Sequence, residues 1–269
     1  MRARFLGLRS SNFRALVPFA LAIVAYLVAS HLRLAENPQD KVLPSLGQMA
    51  DAVQRMAFAP DPHSGDYVLW KDTWASLRRI AIGVGSAALL ALLAGLNMGL
   101  RPVLKDLFGN FLTFLSMVPP LAVLPILFIS LGVDELAKVA LIFLGVFPVV
   151  ARDMLLTVEK VPREQVTKAI TLGASRWAII YRIVMPQVLP RLIDNIRLAL
   201  GAAWLFLIAA EAIAATEGLG YRIFLVRRYL AMDVILPYVF WIVALGFSFD
   251  WLLRRLVAWR YGWYLVAAK

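Results

Sequence analysis

Between Pro162 and Pro190 the chain sets Arg163, Glu164, Lys168, Arg176 and Arg182 among apolar residues. Val166, Ala169, Ile170, Gly173, Trp177, Ile180 and Val184 recur there at helical spacing, with Glu164, Lys168, Ser175 and Arg182 largely off that stripe. An amphipathic face of this kind has two uses. It lies in a headgroup layer with its cations on lipid phosphates, or it enters an apolar groove on a partner protein. Pro162 suits the first turn of a helix. Gly173 lets two short helices meet at an angle, and Pro186 and Pro190 are expected to end the second.

Other residues carry chemistry by type. Glu211 and Asp194 flank the apolar stretch 198–210, and an ionisable group at membrane depth is a functional candidate. Asp194 is expected to pair with Arg197 or Arg191, and Glu211 to cap the loop TEGLGY or pair with Arg222. Pro119, Pro120 and Pro125 fall in one apolar block. They free backbone carbonyls that only protein or a water-filled cavity satisfies, which points to a broken element beside a pathway. Pro148 reads as a kink between packed helices. Trp204, in mid-stretch, either packs or lines the pathway, with packing favoured.

Enzymatic motifs are missing. No Gly-Lys dipeptide occurs, so no phosphate-binding loop of that type exists. Gly83-x-Gly85-x-x-Ala88 lacks a preceding strand, and Gly95-x-x-x-Gly99 lies in an apolar run, so both read as close helix packing. His31 and His63 have no metal-ligand spacing. No Gly-x-Ser-x-Gly elbow occurs, and the absence of cysteine excludes thiol catalysis and Cys-ligated zinc.

The elements that hold these residues are membrane helices. The chain has 269 residues, 61% hydrophobic and 17% charged, with the charges segregated from long uncharged blocks. Soluble domains are nearer half apolar and a quarter charged. A net charge of +11 then marks cytoplasmic flanks and not nucleic acid. Residues 15–32, 80–100, 107–133 and 234–249 are clear spans. Residues 139–151 span only if Lys138 snorkels, and 198–210 only if Glu211 extends into the membrane. The segment 66–80 is expected as an interfacial helix leading into the second span. Six spans place both termini on one side. Most of the basic residues, Arg2, Arg4, Arg152, Lys168, Arg254 and Lys269 among them, fall inside if that side is the cytoplasm. The N-terminal apolar run reads as a retained first span. The expected fold class is all-α, a polytopic membrane protein of six helices.

Spacing then adds a resemblance. Ala169, three residues, Gly173, nine residues, Ile183, one residue, Met185 and Pro186 resemble the EAA loop, E-A-A-x3-G-x9-I-x-L-P, of permease subunits in bacterial ABC importers. SMVPPLAVLPILFISLGVDELAKVALI (116–142), LPRLIDNIRLALGAAWLFLIAAEAIAATEGLGYRI (189–223) and LAMDVI (230–235) are similar to the taurine, aliphatic sulfonate, nitrate and bicarbonate permease group. The likeness covers about residues 70–256. Thr167 stands where the family has Glu, Lys168 where it has the first Ala, and Met185 where it has Leu.

The resemblance implies a type I ABC importer transmembrane domain over 70–256. Residues 1–69 supply the first helix and an outer segment, and 257–269 a cytoplasmic tail. It implies that the loop 152–190 docks on an ATPase through Thr167, Lys168, Ala169, Gly173, Ala174, Trp177, Ile183 and Pro186. Pro119, Pro120, Pro125, Trp204 and Glu211 become pathway candidates. The implied partners are a second copy of the chain, two ATPase subunits that bind the ATP, and a periplasmic or lipid-anchored solute-binding protein, besides membrane lipid and without nucleic acid. The implied role is non-catalytic, with no cofactor and no metal on this chain. A secondary transporter working without an ATPase predicts an inverted repeat and a buried acid pair at the midplane. A non-transporting scaffold predicts neither, and both stay open as alternatives.

Overall fold

A computed structural model describes residues 7–37, 40–62 and 64–267. Arg2, Arg4, His63 and Lys269, used above for orientation and motif reading, lie outside them. All regular structure among the described residues is helical. Five helices are long and apolar enough to cross a membrane, or six when a bent pair counts as one span.

The chain divides into two compact units, residues 1–68 with 225–239, and 69–224 with 240–269. In the first, α1 (Gly7–Glu36) exposes Phe19, Leu21 and Ile23, as a helix facing lipid does. The following turn is tied back to it. Tyr26 Oη donates to the Pro44 carbonyl at 2.6 Å, and Ser30 Oγ to the Leu43 carbonyl at 3.0 Å. Ser45 and Gln48 then form a capping box that starts α2 (Leu46–Phe58), each side chain meeting the other's backbone N–H.

The second unit is built on α3 (Val68–Leu100), α6 (Glu135–Glu159) and α9 (Met185–Ala214). The expected interfacial segment is instead the first turns of α3, whose buried face continues from Leu69 through Ala75 and Ile80 to Ala91 and carries Asp72, Ser76 and Arg79 among its apolar residues. Small residues bring α3 against α6. A Cβ at Gly83 would sit 2.8 Å from Ile142, one at Gly99 would sit 2.5 Å from Val158, and one at Gly95 would strike Met154. The packing reading holds for Gly83, Gly95 and Gly99, since backbones approach closely only where no side chain intervenes, and not for Gly85, where a Cβ would meet no atom within 4 Å. Gly145 of α6 takes the ring of Phe206 of α9 in the same way.

Two expectations for spans are corrected. Residues 107–133 do not form one helix. They break into α4 (Pro102–Leu115) and α5 (Pro120–Leu131), bent by 97°. Pro119 is the N-cap of α5 and Pro120 its first residue, where a missing N–H costs nothing. Lys138 does not snorkel. It is 4% exposed and bonds Glu135 one turn earlier at 2.9 Å, inside a helix of 25 residues. The span is therefore long enough without reaching for the headgroups. Near its middle, Pro148 is buried.

Candidate functional site

The amphipathic segment forms two short helices around one turn. Pro162 caps α7 (Arg163–Thr171), and the chain reverses at Leu172–Gly173. Gly173 has φ +79°. Its N–H donates to the Ile170 carbonyl, and the Ala174 N–H to the Ala169 carbonyl, both at 2.9 Å. This is a Schellman cap with glycine at the left-handed position. The Ala169-x3-Gly173 spacing is thus the spacing of the third-last helical residue and the cap. Ser175 Oγ then accepts from the Ala178 N–H at 3.2 Å and starts α8 (Arg176–Ile179).

The prolines do not end this second helix, which corrects the expectation above. A π-helical turn (Ile180–Val184) follows α8 and runs directly into α9, giving one continuous helix from Arg176 to Ala214. Pro186 lacks an N–H and its ring would crowd the carbonyl four residues back, at Arg182. The wider turn removes that conflict, with the Met185 N–H donating to the Ile180 carbonyl. Pro190, one turn on, is buried within α9. At about 1.5 Å per residue this helix is roughly 58 Å long, about twice a bilayer's hydrocarbon core.

The segment's apolar face is only partly covered. Val184 and Ile179 are buried, whereas α7 buries no residue. Leu172 is 87% exposed and Trp177 69%, the latter stacked on Tyr181 with ring centroids 6.1 Å apart. Thr167 and Lys168 are exposed, and Thr167 Oγ1 donates to the Arg163 carbonyl at 3.0 Å. Gln187 Nε2 donates to Gln165 Oε1 and to the Ile183 carbonyl, each at 2.9 Å, and so holds α7 against the root of α9. A cleft of about 750 Å³ lies behind α7, lined by Lys105, Glu159, Arg163, Thr167 and Val184.

Polar side chains brace the root of α9. Asp194 bonds Arg197, as expected, whereas Arg191 pairs with Asp153 at 3.0 Å. Arg197 also reaches Asp250 at 2.9 Å. Tyr264, in the short helix α12 (Gly262–Ala267), lies beside Asp194, and burial first and that carboxylate next hold its phenol above the ordinary range.

Glu211 lies at the far end of α9 in a buried network. Arg79 Nη1 donates to it at 2.7 Å, Ser76 Oγ at 2.8 Å and the Gly220 N–H at 2.8 Å. The expected contact with the loop TEGLGY is present. The expected pairing with Arg222 is not, because Arg222 bonds Asp72 at 2.8 Å. Arg79 also grips Glu135 through two 2.7 Å bonds. Asp72, Ser76 and Arg79 were not singled out in the sequence, although their i, i+4, i+7 spacing puts three polar groups on one face of an apolar helix. Trp204 packs. It is 6% exposed and its indole nitrogen lies 3.5 Å from where a Cβ on Gly246 would be. Pro119 and Pro125 are exposed and Pro120 half-buried at the α4–α5 bend.

This arrangement defines a multi-pass helical membrane protein, with an exposed helical loop on one end of its longest helix. Residues 87–260 match the family described as binding-protein-dependent transport system inner membrane component. The chain belongs to that family and is the permease subunit of an ABC importer. The taurine transport system permease protein TauC of Escherichia coli (strain K12) is 36% identical over 199 residues, 72% of each chain. The bicarbonate transport system permease protein CmpB of Synechococcus elongatus is 32% identical over 203 residues, 74% of this chain and 71% of that one. An inward-facing chain of the MetNI methionine ABC transporter shares the type I fold. Its TM-score is 0.60 at 18% identity, over 70% of this chain and 93% of that one. Permeases of this kind work with an ATPase and a solute-binding protein.

Proposed function

We propose that the chain carries a small solute bearing a sulfonate, carboxylate-like or nitrate-like oxyanion group, with bicarbonate and taurine as the representative cases. Two relatives bear those solutes in their names. Two copies surround the pathway about a two-fold axis, with the bent α4–α5 pair of Pro119, Pro120 and Pro125 beside it. Both termini and residues 152–190 face the cytoplasm. The chain itself has no catalytic role and binds no cofactor; ATP is bound and hydrolysed on two separate ATPase subunits. A binding protein, free or lipid-anchored, brings the solute from outside.

The observation that carries the coupling reading is the exposed apolar face around Leu172 and Trp177, presented by a capped helix pair that runs into one continuous helix. An apolar face of this shape suits a groove on a partner. Thr167, Lys168, Ala169, Gly173, Ala174, Trp177, Ile183 and Pro186 form or frame it. Lys168 gives the docking face a positive charge, for which the partner needs a complementary acid. ATP-driven closure of the ATPase pair then pushes on α8, and α9 carries the motion across the bilayer.

The test is co-purification with the ATPase encoded beside this chain. The wild type is expected to retain the ATPase through purification and to stimulate it. Gly173→Asp, or deletion of residues 164–182, is expected to abolish retention. Equal retention with and without the loop would refute the coupling role.

A further inference from the structure

The last turns of α11 (Met232–Arg260) present a face that neither the docking segment nor the bundle core uses. Trp251, Arg255 and Trp259 follow one another at four-residue steps, with Leu252 and Leu256 alongside, so they share one side of the helix. With Arg254 they line a surface groove of about 730 Å³. Trp259 is 81% exposed. The Arg255 guanidinium lies over the Trp251 ring at 5.8 Å. Arg254 reaches Asp250 at 2.7 Å but leaves 66% of its side chain exposed. Asp250 is the acid beside the groove and is already shared with Arg197 at 2.9 Å, so the face is net positive.

The order along the helix matches depth in a bilayer. Phe240, Val243 and Phe247 are exposed first, then Trp251, then the arginines. That is the succession of acyl chain, interface and headgroup. We propose that this groove binds an anionic phospholipid, its phosphate between Arg254 and Arg255 and an acyl chain along Leu252 and Phe247. Two arginines favour a headgroup that is net negative over one that carries its own cation. A second copy of this chain is a poor occupant, because two-fold pairing would set the same arginines against each other. The groove is continuous in sequence with α12, whose Tyr264 lies beside Asp194 at the root of α9. A headgroup there sits beside the helix that carries the docking segment. The inference rests on α11 alone and stands whichever way the chain is oriented.

The experiment is native mass spectrometry of the full chain in neutral detergent, titrated with phosphatidylglycerol or phosphatidylcholine. The wild type is expected to prefer phosphatidylglycerol by about thirty-fold, the preference two arginines at an anionic headgroup supply. Arg254→Gln with Arg255→Gln is expected to bind both lipids equally. Arg255→Lys is expected to keep most of the preference, and Arg228→Gln, remote in sequence and exposed, all of it. Equal binding of the two lipids by the wild type overturns the proposal, as does a preference that survives the double substitution. So does displacement of the lipid by soluble glycerol phosphate at matched concentration, which would make the groove a bare anion site.

Discussion

Arg79 and Glu211 stand 2.7 Å apart at the end of the bundle where α3, α6 and α9 meet, with 1% and 0% of their side chains exposed. The pair is not isolated. Glu135 takes the other edge of the guanidinium, Ser76 and Gly220 satisfy the Glu211 carboxylate, and Asp72 holds Arg222 and the Gly218 N–H. Buried charges survive only when every one is answered. The network therefore locks the loop after α9 onto α3.

Removing one partner leaves a charge uncompensated. Arg79→Met is expected to destabilise the chain by about 3–5 kcal/mol, because Glu211 stays buried without its cation. Arg79→Met with Glu211→Met is expected to recover part of that loss. Thermal unfolding in detergent, read as a double-mutant cycle, checks the coupling. Additive single effects would show that the pair does not act as a unit.

Gly218 is the backbone side of the same lock. It has φ +131°, and a Cβ there would lie 2.5 Å from Glu211 Cδ and 2.7 Å from Arg79 Nη1. Gly218→Ala is expected to lower the midpoint of thermal unfolding as much as Arg79→Met does. A variant with unchanged melting would mean that the loop moves away freely.

At Gly173 only the backbone objects. No atom lies within 4 Å of a Cβ there, so Gly173→Ala pays for the left-handed φ alone, about 1 kcal/mol. Folding is expected to persist, with ATPase stimulation reduced several-fold. Gly173→Asn is expected to fall between the two, since asparagine tolerates that region better. Stimulation assays on the co-purified complex decide the order.

Pro186 maintains the wide turn between α8 and α9. Pro186→Ala returns a backbone N–H and allows ordinary α-helical pairing. Losing one residue of the bulge would rotate Trp177 by about 100° relative to α9. The expected result is a stable chain that still binds its ATPase but loses solute-dependent stimulation. Spin labels at the exposed positions Leu172 and Leu198 would report the rotation as a changed distance.

Lys168 is exposed beside Thr167 on the docking helix. Lys168→Glu is expected to weaken association with the ATPase by about ten-fold at low salt, and less as ionic strength rises. A loss independent of salt would assign the effect to shape and not to charge.

The membrane class, three of the four clear spans and the helix pair around Gly173 were legible in the sequence alone, because uncharged runs and the Ala169–Gly173 interval are local signals. Hydropathy answers to the bilayer, and a Schellman cap depends on residues within one turn of each other. What lay beyond reach involved distance along the chain. Pro186 and Pro190 read as stops, yet the helix passes through them, because a π turn makes room for Pro186 and Pro190 is buried within α9. Arg79 falls within the segment 66–80 expected at the interface, and its partners lie 56 and 132 residues away. A buried ion pair forms only after three helices have met, so no local pattern names both of its members. The spacing of Asp72, Ser76 and Arg79 carries a polar face that the sequence analysis passed over, and only the packed bundle brings Glu211 against it.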